Sequence, residues 1–197
     1  MASARAIVCG VKLTDEPIEG GGNTDNPTPE PEGTVTIAEA IAAADGAAIV
    51  IENATVVGVY ARGVLVEDTT GKLLVYAGSA VSAEVGDVVK VEGTMATYGG
   101  LRQVATPTVT VTGTTSYTYP TATVMDGAAM DAYLSNPVIK YVEYTGTLAI
   151  SGYYYNVTVE GAATAVGSLA YVIDGSVDAS LDGQKILVKG WTIGFSG

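Results

Sequence analysis

Residues 48–95 read AIVIENATVVGVYARGVLVEDTTGKLLVYAGSAVSAEVGDVVKVEGTM, and this stretch decides the fold. Val56, Val57, Val59, Val64, Leu65 and Val66 form two short β-branched runs broken at Ala61-Arg62-Gly63. Asp68-Thr69-Thr70-Gly71, a cluster suited to turn geometry, separates them from Leu73-Leu74-Val75-Tyr76. Val85-Gly86-Asp87 then introduces Val88 to Gly93, whose later half alternates apolar and charged side chains. A period of two sends one set of side chains to a core and the other to water. The expectation is all-β, with consecutive antiparallel strands in a small barrel or sandwich.

Outward from this stretch the chain divides. Thr36 stands three residues before Glu39, the spacing of a capping box, and predicts a short helix ending at Asp45-Gly46. Its expected inner face is Ile37, Ala40, Ile41 and Ala44. On the other side, Tyr98 to Gln103 reads as a turn and Thr108 to Gly113 as a last alternating strand. Tyr117 to Thr121 reads as a linker, after which the pattern restarts. Thr121 to Met130 parallels Val35 to Ile41, with Met125, Ala129, Met130 and Tyr133 as helix-face candidates. Ile139 to Ile150 parallels Ile49 to Tyr60, and Leu181 to Gly190 parallels Val85 to Gly93. Such internal repetition is read before the fold is assigned. The second copy carries extra residues, expected near Ala162 to Asp178, and shows no match to the strand at Thr108 to Thr112.

Residues 14–33, TDEPIEGGGNTDNPTPEPEG, carry one large apolar residue, Ile18. Such a segment buries too little surface to offset its ordering entropy, so residues 1–33 read as a disordered tether. The expected domains are then 34–116 and 117–197.

Composition narrows the chemistry. Of 197 residues 48% are apolar, enough for packed cores, but the apolar content is Ala and Val more than Phe or Leu. There are 12 tyrosines against one Phe and one Trp, and tyrosine suits half-exposed sheet faces. The formal charge of −12 opposes binding to phosphate backbones and anionic membranes. With no histidine, the commonest general base and metal ligand are both missing. A single cysteine, Cys9, leaves no internal disulfide. Glu67-Asp68 and the group Asp174, Asp178 and Asp182 match no calcium-loop spacing. No nucleophile elbow, phosphate loop or zinc motif occurs. The expectation is a protein that is not an enzyme and needs neither cofactor nor metal.

Ala6-Ile7-Val8-Cys9-Gly10 resembles the tail of a bacterial lipoprotein signal, with Val8 where that signal has a small residue. The resemblance implies lipidation at Cys9; a free cysteine in a disordered terminus is the plainer alternative.

The order of Val56 to Tyr60, Gly63 to Asp68 and Val85-Gly86-Asp87-Val88-Val89-Lys90-Val91-Glu92-Gly93 resembles an OB-fold. AEAIAAADG, VVGVYARGVLVEDTTGKLLVY and VGDVVKVEGTMATYGGLRQV are similar to OB-like domains of cell-surface lipoproteins from Gram-negative gut anaerobes, relatives of which accompany some secreted nucleases. The resemblance implies two tandem OB-like barrels, each preceded by a short helix, in an extracytoplasmic and surface-exposed protein. OB-folds commonly bind on the face of strands two and three. By matching position, that implies ligand-binding candidates Tyr60, Arg62, Leu65, Tyr76, Tyr98 and Arg102 in the first unit and Tyr153, Tyr154, Tyr155 and Trp191 in the second. Tyrosines in such places either stack on sugars or bases, or pack across strands inside a barrel. Arg62 and Arg102, beside turn glycines, either clamp an anion or are solvated turn charges. The expected function is a non-catalytic binding or spacer module with a carbohydrate or protein partner. Single-stranded nucleic-acid binding is the alternative, which fold alone does not license.

Overall fold

The computed structural model describes residues 4–7, 33–169, 172 and 177–196. Of the expected disordered tether over 1–33, residues 1–3 and 8–32, including Cys9, lie outside the described residues, as does Asp174, whereas residues 4–7 form a strand instead. Among the described residues the chain is mostly β, with two sheets and two α-helices, as the period-two patterning predicts.

Ala4–Ile7 form strand β1. The helix α1 spans Ile37–Ala42 and begins with the expected capping box: Thr36 Oγ1 accepts from the Glu39 N–H, and the Glu39 carboxylate accepts from the Thr36 N–H. It is shorter than the sequence suggests. Ala43 is already extended at φ −68°, ψ 155°, so Ile37 and Ala40 face inward while Ile41 and Ala44 remain exposed.

The first unit is a closed barrel. Its strands are β2 (Ala48–Tyr60), β3 (Gly63–Glu67), β4 (Lys72–Tyr76), β5 (Asp87–Tyr98) and β6 (Leu101–Thr114), ordered β2-β3-β4-β6-β5 and back to β2. The long β2 serves two neighbours, pairing with β5 from Ala48 and with β3 up to Tyr60. Register shifts between Ile51 and Ala54 and between Val56 and Gly58 bend it enough to do so. Closure comes from β6, parallel to β4 and antiparallel to β5. The expected turn at 98–103 is confined to Gly99-Gly100, with β6 starting at Leu101. Alternate residues Val56, Val64, Val66, Leu73, Val75, Val89 and Val91 fill the barrel.

The second unit repeats the opening of the first. A short strand β7 (Thr123–Val124) precedes helix α2 (Gly127–Tyr133), whose first turn is capped by Asp126. Then come β8 (Tyr141–Ser151), β9 (Tyr154–Thr158), β10 (Ala165–Ser168), a 3-10 turn at Ala179–Leu181, and β11 (Lys185–Trp191). The sheet order is β1-β10-β9-β8-β11, so β10-β9-β8-β11 reproduces β4-β3-β2-β5. Residues 169–184 separate β10 from β11 where 77–86 separate β4 from β5, which puts the extra length where the sequence comparison expects it. Among the described residues this sheet does not close into a ring. Its core holds Met130, Tyr133, Val142, Tyr144, Leu148, Val157 and Val188.

The two units share a third apolar cluster. Val57, Leu65 and Leu74 point outward from the barrel, opposite in alternation to Val56, Val64 and Val75. They are covered by Trp191 and Ile193 from the end of the second unit.

Candidate functional site

The barrel face where the resemblance would seat a ligand is already occupied. Trp191 is 2% exposed, and its Nε1 donates to the Val57 carbonyl at 3.0 Å. Gly58 makes room for it, because a Cβ there would stand 3.1 Å from the indole Cδ1. The Lys72 ammonium sits 5.3 Å from the indole centroid and is paired with Glu67. A row of rings continues outward: Trp191 to Tyr141 at 5.1 Å, Tyr141 stacked on Tyr119 at 5.0 Å, and Tyr119 edge-on to Tyr117 at 5.3 Å. Burial and the neighbouring Glu67 carboxylate push the Tyr117 phenol up to about 12, so it stays neutral at any physiological pH.

Next to this seam lies a pocket of about 170 Å³, lined by Tyr60, Leu74, Tyr76, Tyr98, Gln103 and Phe195 together with Gly99 and Ile193. Both units build it. The turn residues Gly99 and Gly100 have φ of +58° and +75°, the left-handed geometry of a tight hairpin. The tail of the second unit passes directly over them. Phe195 N–H donates to the Gly99 carbonyl at 3.0 Å, and Gly194 N–H donates to the Tyr133 hydroxyl oxygen at 3.0 Å. A Cβ on Gly99 would meet the Phe195 carbonyl oxygen at 2.7 Å, and one on Gly194 would meet the Gly99 carbonyl oxygen at 2.7 Å. Glycine is required on both sides of this crossing. Tyr98, 59% exposed, forms the open rim, Tyr60 is the buried floor with its hydroxyl donating to the Val75 carbonyl at 3.2 Å, and Gln103 is the polar side chain within the wall.

The remaining candidates are distributed elsewhere. Tyr76 lines the pocket and packs against the seam, and Leu65 is fully buried beneath Trp191. Arg62 lies at the β2–β3 hairpin tip, its Nη1 donating to the Gly78 carbonyl at 3.5 Å. Arg102 finishes helix α1: it donates to the carbonyls of Ile41 and Ala43, to Thr97 Oγ1 and to the Asp45 carboxylate. These groups use its guanidinium in the way a last-turn cation uses free helix carbonyls. Tyr153 and Tyr154 extend from the β8–β9 hairpin, 91% and 57% exposed, whereas Tyr155 packs against the second core. Tyr153 occupies the turn, and strand β9 begins at Tyr154. Cys9 lies outside the described residues.

Thus Tyr60, Tyr76 and Tyr98 come together, while Arg62, Arg102 and the tyrosines of the β8–β9 hairpin do not join them. Gln103, Phe195 and Ile193 complete the pocket and are not among the sequence candidates. The one signal for them is that the chain's single Phe directly follows a glycine, in a tail with no partner in the first copy. Among the described residues no group of three or more Asp, Glu, Cys or His side chains is placed to hold a metal, and no helix is long and apolar enough to cross a membrane. Compared with protein-family models, curated proteins and solved structures, the chain has no significant match.

Proposed function

We propose that the protein is a non-catalytic binding module of the extracytoplasmic space, with carbohydrate as its preferred ligand. The observation that carries this reading is the pocket walled by Tyr76, Tyr98 and Phe195. Flat rings beside a side-chain amide suit the C–H face and hydroxyls of a sugar ring, and the small volume suits one terminal residue of a chain. The strand order β2-β3-β4-β6-β5 with a parallel β4–β6 pair supports an OB-like first unit. The location follows from the resemblance to surface lipoproteins, with Cys9 as the attachment point in a processed chain.

A second reading, a rigid spacer, is favoured by the seam itself, because Trp191 and Ile193 use the barrel face for joining the two units. Nucleic-acid binding has less support: that same face is covered, and the −12 charge opposes phosphates.

The test is a calorimetric titration of the full chain with soluble glycans and single-stranded DNA, beside Tyr98→Ala. Saturable, salt-insensitive glycan binding that weakens at least tenfold in Tyr98→Ala supports the proposal. DNA binding that falls steeply with salt replaces it with the nucleic-acid alternative. No binding of either moves the spacer reading forward.

A further inference from the structure

In the first barrel, β4 has two neighbours: β3 antiparallel on one side and the closing strand β6 parallel on the other. In the second unit β10 holds the position of β4, with β9 antiparallel on one side. On its other side lies β1, parallel, in the register Ala4↔Ala165, Arg5↔Val166, Ala6↔Gly167 and Ile7↔Ser168. The N-terminal segment therefore takes on β10 the place that β6 takes on β4, in the same direction. No stretch after β11 fills that place among the described residues.

We propose that the outer edge of β10 is a strand-acceptor site and that, in the uncleaved chain, its own Ala4–Ile7 are the occupant, serving as the fifth strand of the second unit. An unpaired sheet edge is a template for an added strand, with backbone hydrogen bonds supplying the affinity. The first unit closes with a strand that follows in sequence; the second borrows one from the far end of the chain. The arrangement ties the start of the chain to its second unit. Cleavage before Cys9 would remove Ala4–Ile7 and leave the acceptor edge vacant for a strand of another chain.

The test uses the full, uncleaved chain in two ways. Ala6→Pro takes away a backbone donor and the extended freedom of the middle of β1. The expected result is amide exchange at least tenfold faster over residues 165–168, with the amides of β2 to β6 unchanged. Separately, Arg5→Cys with Val166→Cys, in a Cys9→Ser background, places two thiols on register partners within disulfide reach. Mild oxidation is expected to give a cross-linked monomer. A covalent dimer would overturn occupation by the same chain, because the strand would then be exchanged between copies. Unchanged exchange in Ala6→Pro, or thiols that stay free on oxidation, would overturn the acceptor site itself.

Discussion

The two units share four strands in the same order, yet among the described residues one closes and the other does not. Their hairpins make the contrast concrete. In the first, Tyr60 faces Gly63 across a two-residue loop; in the second, Ser151 faces Tyr154 across another. Gly63 has φ of +153°, and a Cβ there would stand 2.0 Å from the Val75 carbonyl oxygen. Tyr154, at the matching place, carries a large ring into solvent. At this φ a side chain on Gly63 would be driven into the backbone of the neighbouring strand β4, so only glycine fits there. The two hairpins therefore differ at one position: glycine is required in the first, and a large exposed ring stands in the second.

The largest expected effect is on the join. Trp191→Ala removes the ring that covers Val57, Leu65 and Leu74 and leaves the Val57 carbonyl without its indole donor. Truncating a buried aromatic of this size costs about 3–5 kcal/mol. Denaturant unfolding followed by circular dichroism should change from one transition to two, one for each unit. A single transition with an unchanged midpoint would mean that the units are not coupled through this seam.

The hairpin contrast itself gives the next effect. Gly63→Ala must displace either the Val75 backbone or the strand pairing and should cost about 1–3 kcal/mol, in the range of strained or overpacked substitutions. Tyr154→Ala should stay within about 0.5 kcal/mol, as surface changes usually do. Equal costs for the two would mean that this position does not distinguish the two hairpins.

Much of the first unit is legible from sequence because its determinants are local. Thr36 and Glu39 announce the capping box, and Gly99-Gly100 announces the hairpin between β5 and β6. What is not legible depends on distant partners. Arg102 reads as a turn charge or an anion clamp, but the carbonyls of Ile41 and Ala43 that it satisfies belong to a helix far upstream. Trp191 reads as a stacking platform, and nothing near it in the chain reveals that Val57 and Leu65 need cover. The pocket is similar: Tyr98 and Phe195 lie in different units, and only the crossing of Gly99 with Gly194 brings them together. The openness of the second sheet has the same origin, since the segment beside β10 comes from the other end of the chain.

The smallest effect concerns how each unit fastens its helix. In the first, Asp68 in the β3–β4 turn accepts from the Ile37 N–H at 2.8 Å and from Thr70 and Gly71, so the turn caps the helix. Partial burial, the largest single influence, pushes its pKa up, but these hydrogen bonds together outweigh it and hold the carboxyl below its usual value. In the second the roles are reversed: Asp131 on α2 accepts from the N–H groups of Ala163, Thr164 and Ala165, so the helix caps the turn. Those three backbone donors lower Asp131 from 3.8 to about 2. A depressed carboxyl contributes stability that is present above its ordinary value and is lost as pH falls through its folded value. Protection of the 163–165 amides should therefore hold from neutral pH to about 4 and fade as pH drops through about 2. In Asp131→Asn, which gives up the charge and one acceptor site, protection should be reduced at neutral pH and flat over that acid range, while the Asp68 turn keeps its own dependence. If Asp131→Asn retains the acid-sensitive step at 163–165, another group fastens the second helix, and the reversal between the units is not what distinguishes their response to acid.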